Sequence, residues 1–225
     1  LLDISLNNMK KQNLVAFLID NKNNWIEKYI KKITSDKFLK KKYKFKKFYK
    51  VPSSFKGQIL FILNYTKILN KKNLNKFKLP IVIHGSKLPN YKGFAPVQNQ
   101  ILNNKNIIYF SMIKASSKVD SGEIIQRSFM KLNGTEIYDE IREKSANIIV
   151  KMIIKFLKNF PKYKLEKQKG YGKFYRKRKP DDQKLNINKS IKENFNTLRI
   201  AHNEKWPAFF IYKKKKYIIK IYKEK

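Results

Sequence analysis

The chain contains no cysteine. That excludes disulfides, thiolate-bound metal and a cysteine nucleophile. Long hydrophobic runs are missing as well, and none approaches the ~20 residues that a bilayer span requires. No succession of cationic, apolar and small residues opens the sequence as a secretory signal would. Its 7 glycines nowhere form Gly-x-Gly-x-x-Gly, so the nicotinamide-type dinucleotide fingerprint is absent. These absences point to a metal-free, cytoplasmic protein with no membrane segment. Histidine is scarce too, at 2 residues, which leaves few groups that titrate near neutrality.

Acidic residues number 16 against 53 Lys and Arg, a net charge of +37. Clustered cations neutralise phosphates and release counterions from nucleic acid. Here the basic residues are nearly all Lys, spread along the whole length and accompanied by abundant Asn, Ile, Phe and Tyr. AT-rich codon usage produces that combination, and a dedicated nucleic-acid surface is the weaker of the two readings. Arginine is correspondingly informative, because its planar fork is hard to replace. The arginines are Arg127, Arg142, Arg176, Arg178 and Arg199. The three from 176 to 199 read either as phosphate or carboxylate contacts or as ion pairs with Asp181, Asp182 or Glu193.

A length of 225 residues suits one α/β domain with a proper core and a small appendage, at about 150 residues per domain. Residues 1–8 precede Met9-Lys10-Lys11 and read as an N-terminal extension. Asn13 to Asp20 and Ile59 to Leu63 are continuous apolar runs of the kind buried on both faces of a parallel sheet. Lys40 to Lys50 alternates lysines with aromatics and reads as an edge strand whose charges discourage pairing with another chain. Stacking on single-stranded nucleic acid is the alternative. Trp25, Ile26, Tyr29, Ile30 and Ile33 repeat at helical spacing, and Pro96 to Leu102 suits a short helix. Ile107 to Ile113 and Glu123 to Lys131 read as further strands.

Asn133 to Glu136 has the form of a capping box opening a long helix that Pro161 stops. Ser190 to Glu193 forms a second box. Pro207 to Tyr212 and Tyr217 to Tyr222, joined by four lysines, read as a β-hairpin. The expected division is a main domain over 9–160, a linker over 161–185, and a small unit over 186–225. The linker's Tyr171, Phe174 and Tyr175 beside Arg176 and Arg178 suit either a nucleotide clamp or docking onto the main domain. His202 reads as a surface or packing residue.

Ile81 to Pro89 reads as a buried strand that ends by lifting His84 onto a tight loop. Val119-Asp120-Ser121-Gly122 offers a carboxylate at the end of another core segment, and Gly122 permits the bend that brings Asp120 back. An imidazole whose tautomer and charge are fixed by a carboxylate is a proton shuttle. A packed core histidine is the ordinary alternative. Asn64 ends the preceding strand, and in an open parallel sheet ligands collect beyond the carboxyl ends of the strands.

His84-Gly85-Ser86-x-Leu88-Pro89-x-x-Lys92-Gly93-x-x-Pro96, followed by Asp120-Ser121-Gly122-Glu123-Ile124-Ile125, resembles the 10-formyltetrahydrofolate-dependent formyltransferases. These comprise methionyl-tRNA formyltransferase and the sugar N-formyltransferases. Weaker similarity runs from about residue 13 to the C-terminus, where Arg199 and Trp206-Pro207-Ala208-Phe209 resemble the family's tail. The resemblance implies an α/β fold: a Rossmann-like formyltransferase domain with a mostly parallel sheet, plus a small C-terminal helix and β-hairpin. It also implies 10-formyltetrahydrofolate as formyl donor, His84 as proton shuttle and Asp120 as the residue that orients it. A folate pocket is implied at Tyr65, Ile68, Leu69, Val119 and Asp120. The family places Asn two residues before the histidine to polarise the formyl carbonyl, and this chain has Val82 there. Asn64 and Ser86 are the candidate replacement donors at the substrate.

Methionyl-tRNA formyltransferases carry a larger C-terminal domain than the helix and hairpin expected from residue 186 onward. The resemblance therefore favours a sugar N-formyltransferase acting on a nucleotide-linked amino sugar, as in surface polysaccharide synthesis. The acceptor's pyrophosphate would then need cations, for which Lys92, Arg176, Arg178 and Arg199 are the candidates. Two alternatives stand beside this: methionyl-tRNA as acceptor, or a non-catalytic homologue lacking the family Asn. A homodimer formed through the hairpin is left open.

Overall fold

The structure, a computed structural model, describes residues 13–224; the expected extension over residues 1–8 lies outside them. The chain begins with β1 (Asn13–Leu18), α1 (Glu27–Thr34), α2 (Lys37–Lys42), β2 (Tyr43–Phe48), β3 (Gly57–Ile62), α3 (Lys71–Leu74) and β4 (Phe77–His84). The four strands run parallel in the order β2-β1-β3-β4. Side chains on β1 and β3 alternate between two cores, as a period of two demands. Val15, Phe17, Ile59 and Phe61 face the larger one, and Ala16, Leu18, Leu60 and Ile62 the smaller. Burial on both faces explains why these strands read as unbroken apolar runs.

β2 lies at one edge, with Lys44, Lys46 and Lys47 exposed, in keeping with its lysine-aromatic alternation. Its Tyr43 hydroxyl donates to the Leu157 carbonyl at 2.8 Å, and burial pushes that phenol up to about 12. Beyond β4 the direction changes. After β5 (Lys92–Gly93) and α4 (Pro96–Leu102), β6 (Ile107–Lys114) and β7 (Ile124–Lys131) join as antiparallel strands and complete a six-stranded, mainly parallel sheet.

α5 (Tyr138–Asn159) and α1 cover one face. Ile141, Ile149, Ile153, Phe156 and Leu157 form the buried stripe of α5, each contributing roughly 1.5–3 kcal/mol of burial. The opposite face is closed by Val51, Phe55 and α3 through Leu74. Asn133 to Glu136 makes half of a box and opens no helix, since the Asn133 side chain accepts from the Thr135 amide. The Glu136 carboxylate accepts from the Asn133 amide, whereas α5 begins two residues later with Glu140 on the Ile137 amide.

The segment 161–185 runs back across the main domain. Glu166 bridges Ile124, and β8 (Phe174–Tyr175) pairs in parallel with β5. α6 (Ile191–Ile200) opens on the Ser190–Glu193 box as expected. β9 (Ala208–Tyr212) and β10 (Lys215–Ile219) form the hairpin. Of its four lysines, Lys213 and Lys214 alone make the turn, both with positive φ, and the other two belong to β10. A two-residue turn of that hand matches the twist of the strands.

Candidate active site

His84 is the last residue of β4 and is 7% exposed. Its Nδ1 lies 3.4 Å from Asp120 Oδ1, and its Nε2 lies 2.8 Å from the Tyr91 carbonyl oxygen. Both ring nitrogens thus face acceptors, and the imidazolium form donates to both. A ring held this way can take up a proton while the carboxylate balances the charge.

The loop after His84 is tied to the sheet from inside. Gln100 Nε2 donates to the Gly85 carbonyl at 2.6 Å, and the Ser111 hydroxyl to the Ser86 carbonyl at 2.7 Å. Ser111 stands opposite His84 in the β4–β6 register. Asp120 sits in a left-handed conformation, φ 49°, which non-glycine residues adopt rarely. Its Oδ2 accepts from the Gly93 amide at 2.8 Å. A Cβ on Gly122 would stand 1.6 Å from the Lys114 carbonyl oxygen, so this turn closes against β6 only with glycine.

The pair opens onto a cavity of about 1720 Å³ beyond the carboxyl ends of the parallel strands, where ligands collect in open α/β sheets. Tyr65, Ile68, Leu69, Val119 and Val82 line one part of it. Tyr65 and Leu69 pack onto the smaller core, while Ile68 stays 73% exposed. Burial, with the nearby Asp20 carboxylate, raises the Tyr65 phenol. Asn64 also lines the cavity, and its amide donates to Asn24 Oδ1 at 3.2 Å.

Another wall is aromatic and cationic. The Arg142 guanidinium lies 4.7 Å from the Trp25 ring centre and 5.1 Å from that of Tyr138, and its Nε donates to the Tyr138 hydroxyl. His202 packs against Tyr138 and Trp206 at 4.9 and 5.4 Å between ring centres, so it is a packing residue on the cavity wall. Arg178 lines the cavity as well. It donates to the Asp182 carbonyl, and burial lowers its pKa.

Four expected substrate contacts fall elsewhere. Ser86 is 0% exposed and its hydroxyl donates to the Asn90 carbonyl, so it cannot replace the family Asn. Arg199 is 1% exposed, 3.9 Å from Glu136 and outside the cavity lining, because it is the buried cation that joins α6 to the main domain. Arg176 forms a two-pronged pair with Asp182 at 2.8 and 2.6 Å, and it does not line the cavity either. Lys92 is fixed in the β5–β8 pairing, where its neighbour Gly93 reaches the cavity. Conversely, Gln100, Ser111, Tyr91 and Arg142 belong to the site without having been assigned to it from sequence. A lone Gln or Ser carries no periodic signal, whereas Arg142 was marked by the scarcity of arginine. Among the described residues no cluster of His, Asp and Glu could hold a metal, and no helix is long and apolar enough to cross a membrane.

Residues 4–157 match the formyl transferase family. The chain belongs to that family, whose members move a one-carbon formyl group. Methionyl-tRNA formyltransferase of Thermosipho melanesiensis is 29% identical over 142 residues, covering 63% of this chain and 46% of the relative. This chain spans about half the length, or less, of the curated relatives that it matches. The solved methionyl-tRNA formyltransferase of Clostridium thermocellum is similar in fold, with a TM-score of 0.78 and 20% identity over 95% of this chain and 94% of that one. A sugar N-formyltransferase from Shewanella superposes with a TM-score of 0.69 at 16% identity, over 94% and 98% of the two chains.

Proposed function

We propose that the protein is an N-formyltransferase moving the formyl group of 10-formyltetrahydrofolate to the amine of a nucleotide-linked amino sugar. The observation that carries the reaction class is the His84–Asp120 pair, 3.4 Å apart on the cavity lining. The half lined by Tyr65, Ile68, Leu69 and Val119 fits a flat heterocycle, being apolar and left open at Ile68. When bound there, the folate would supply the formyl carbon that the acceptor's neutral amine attacks. His84 would take the proton released from that amine on Nε2, in exchange for its contact with the Tyr91 carbonyl, and return one to the departing folate nitrogen. Asp120 orients the ring and balances its charge while the proton is held.

Drug-sized sites occupy roughly 300–1,000 Å³, so a cavity of about 1720 Å³ has room for donor and acceptor together. Elsewhere on the cavity lining, Arg142 and Arg178 are the arginines at hand for the acceptor's phosphates, and Trp25, Tyr138 and Trp206 provide faces for its base. Arg178 thereby keeps its expected role and Arg142 takes the place of Arg199.

Methionyl-tRNA is a second acceptor reading, favoured by the names of the sequence relatives and the net charge of +37. The test is formyl transfer from 10-formyltetrahydrofolate to a panel of nucleotide-linked amino sugars, with methionyl-tRNA as competitor. Turnover of a sugar is expected, falling by about 10²–10⁴-fold in His84→Ala. Turnover of tRNA alone, with steep salt dependence, would replace the sugar reading. Folate binding without turnover of either would make the chain a non-catalytic homologue.

A further inference from the structure

Both partners of His84 are held by one downstream segment, residues 166–175. It first joins the sheet at Ile124, where Glu166 exchanges backbone hydrogen bonds of 2.8 and 2.9 Å. Gln168 Nε2 then donates to two carbonyls, those of Asp120 at 2.9 Å and Gly122 at 2.8 Å. These flank the bend that holds Asp120 left-handed. Further on, Gly172 lies so close to the His84 loop that a Cβ there would meet the Pro89 carbonyl oxygen at 1.7 Å. The Lys92 and Phe94 amides donate to the Lys173 and Tyr175 carbonyls, and the Tyr175 ring stacks on Tyr91 at 5.4 Å. Tyr91 supplies the carbonyl on His84 Nε2, and Gly93, between Lys92 and Phe94, supplies the amide on Asp120 Oδ2.

From this convergence we propose that residues 166–175 are a positioning strap for the proton-shuttling pair, with Gln168 as its positioning residue. An amide is the fitting group, because its two N–H donors reach two carbonyls that accept and cannot donate. Without them, a strained turn loses the contacts that over-determine it and relaxes. Asp120 then moves away from His84. The inference rests on the formyl-transfer reading for its kinetic consequence but not for its structural one.

The test compares wild type with Gln168→Leu and Gln168→Glu, neither of which donates two hydrogen bonds. With nucleotide-linked amino sugar and 10-formyltetrahydrofolate, kcat is expected to fall on the order of 10²-fold while the acceptor KM stays within about twofold. In parallel, the imidazole NMR signals are followed; with 2 histidines in the chain, His84→Ala assigns both. The His84 signals are expected to move in the Gln168 variants while those of His202 stay. Unmoved His84 signals in either folded variant overturn the strap, as does a change confined to KM. A wild type that formylates no nucleotide-linked amino sugar overturns the sugar-acceptor reading instead, and the NMR arm still decides the strap.

Discussion

Val82 lines the cavity and stands two residues before His84 on the same strand, so both side chains leave β4 on the same side. It packs partly on Leu88, Ile113 and Ile124, and therefore adds no donor to a developing oxyanion. Among the replacements, Ser86 is committed elsewhere and Asn64 has one amide hydrogen on Asn24. An oxyanion donor is commonly worth about 10²–10³-fold in rate. Val82→Asn is accordingly expected to raise kcat, by up to about 10²-fold, with the acceptor KM little changed. Half-burial of a polar amide in a strand is expected to cost about 1 kcal/mol, which urea unfolding would register. A kcat that falls would mean that His84 alone carries the oxyanion.

Among the elements, those whose period is set by burial were legible and those set by a single contact were not. β1, β3 and β4 announced themselves as apolar runs, and the Ser190 box marked α6 within a residue. The Asn133 box misled because Glu136 was drawn into a buried cluster, where Lys144 and the backbone outweigh the cost of burial and hold its carboxyl down. The segment 161–185 looked like a linker because its order comes from isolated contacts: a bridge, a stacked ring and the close approach of Gly172 to Pro89. Near its end, the Arg176 guanidinium holds Asp182 down to about 2. That folded value lies below the ordinary 3.8, so the pair's stabilisation is complete above about pH 4 and is lost as pH falls toward about pH 2. The stability difference between wild type and Asp182→Asn, from urea midpoints, is expected to shrink over that window. A constant difference would show that the pair contributes nothing.

Over the whole molecule, the tail adheres to the main domain through a buried charge. Arg199 and Glu136 are 1% and 2% exposed, and Glu136 also accepts from Lys144 Nζ and the Asn133 amide. Burial lowers the Arg199 guanidinium, and Glu136 opposes the shift. Removing one partner leaves an uncompensated buried cation, for which about 3–5 kcal/mol is typical. Glu136→Ala is expected to lose that much in denaturant unfolding, and a loss below about 1 kcal/mol would place Arg199 in contact with water. Sequence alone marked Arg199 as worth keeping, but an arginine retained for structure and one retained for substrate look alike until burial separates them. The strap is also made after the pair that it braces. His84 and Asp120 leave the ribosome some 55 residues before Tyr175, counting from 120 to 175, which is several seconds at about 5–20 residues per second. A nascent chain therefore carries the His84–Asp120 pair for several seconds before the segment that braces it has been made.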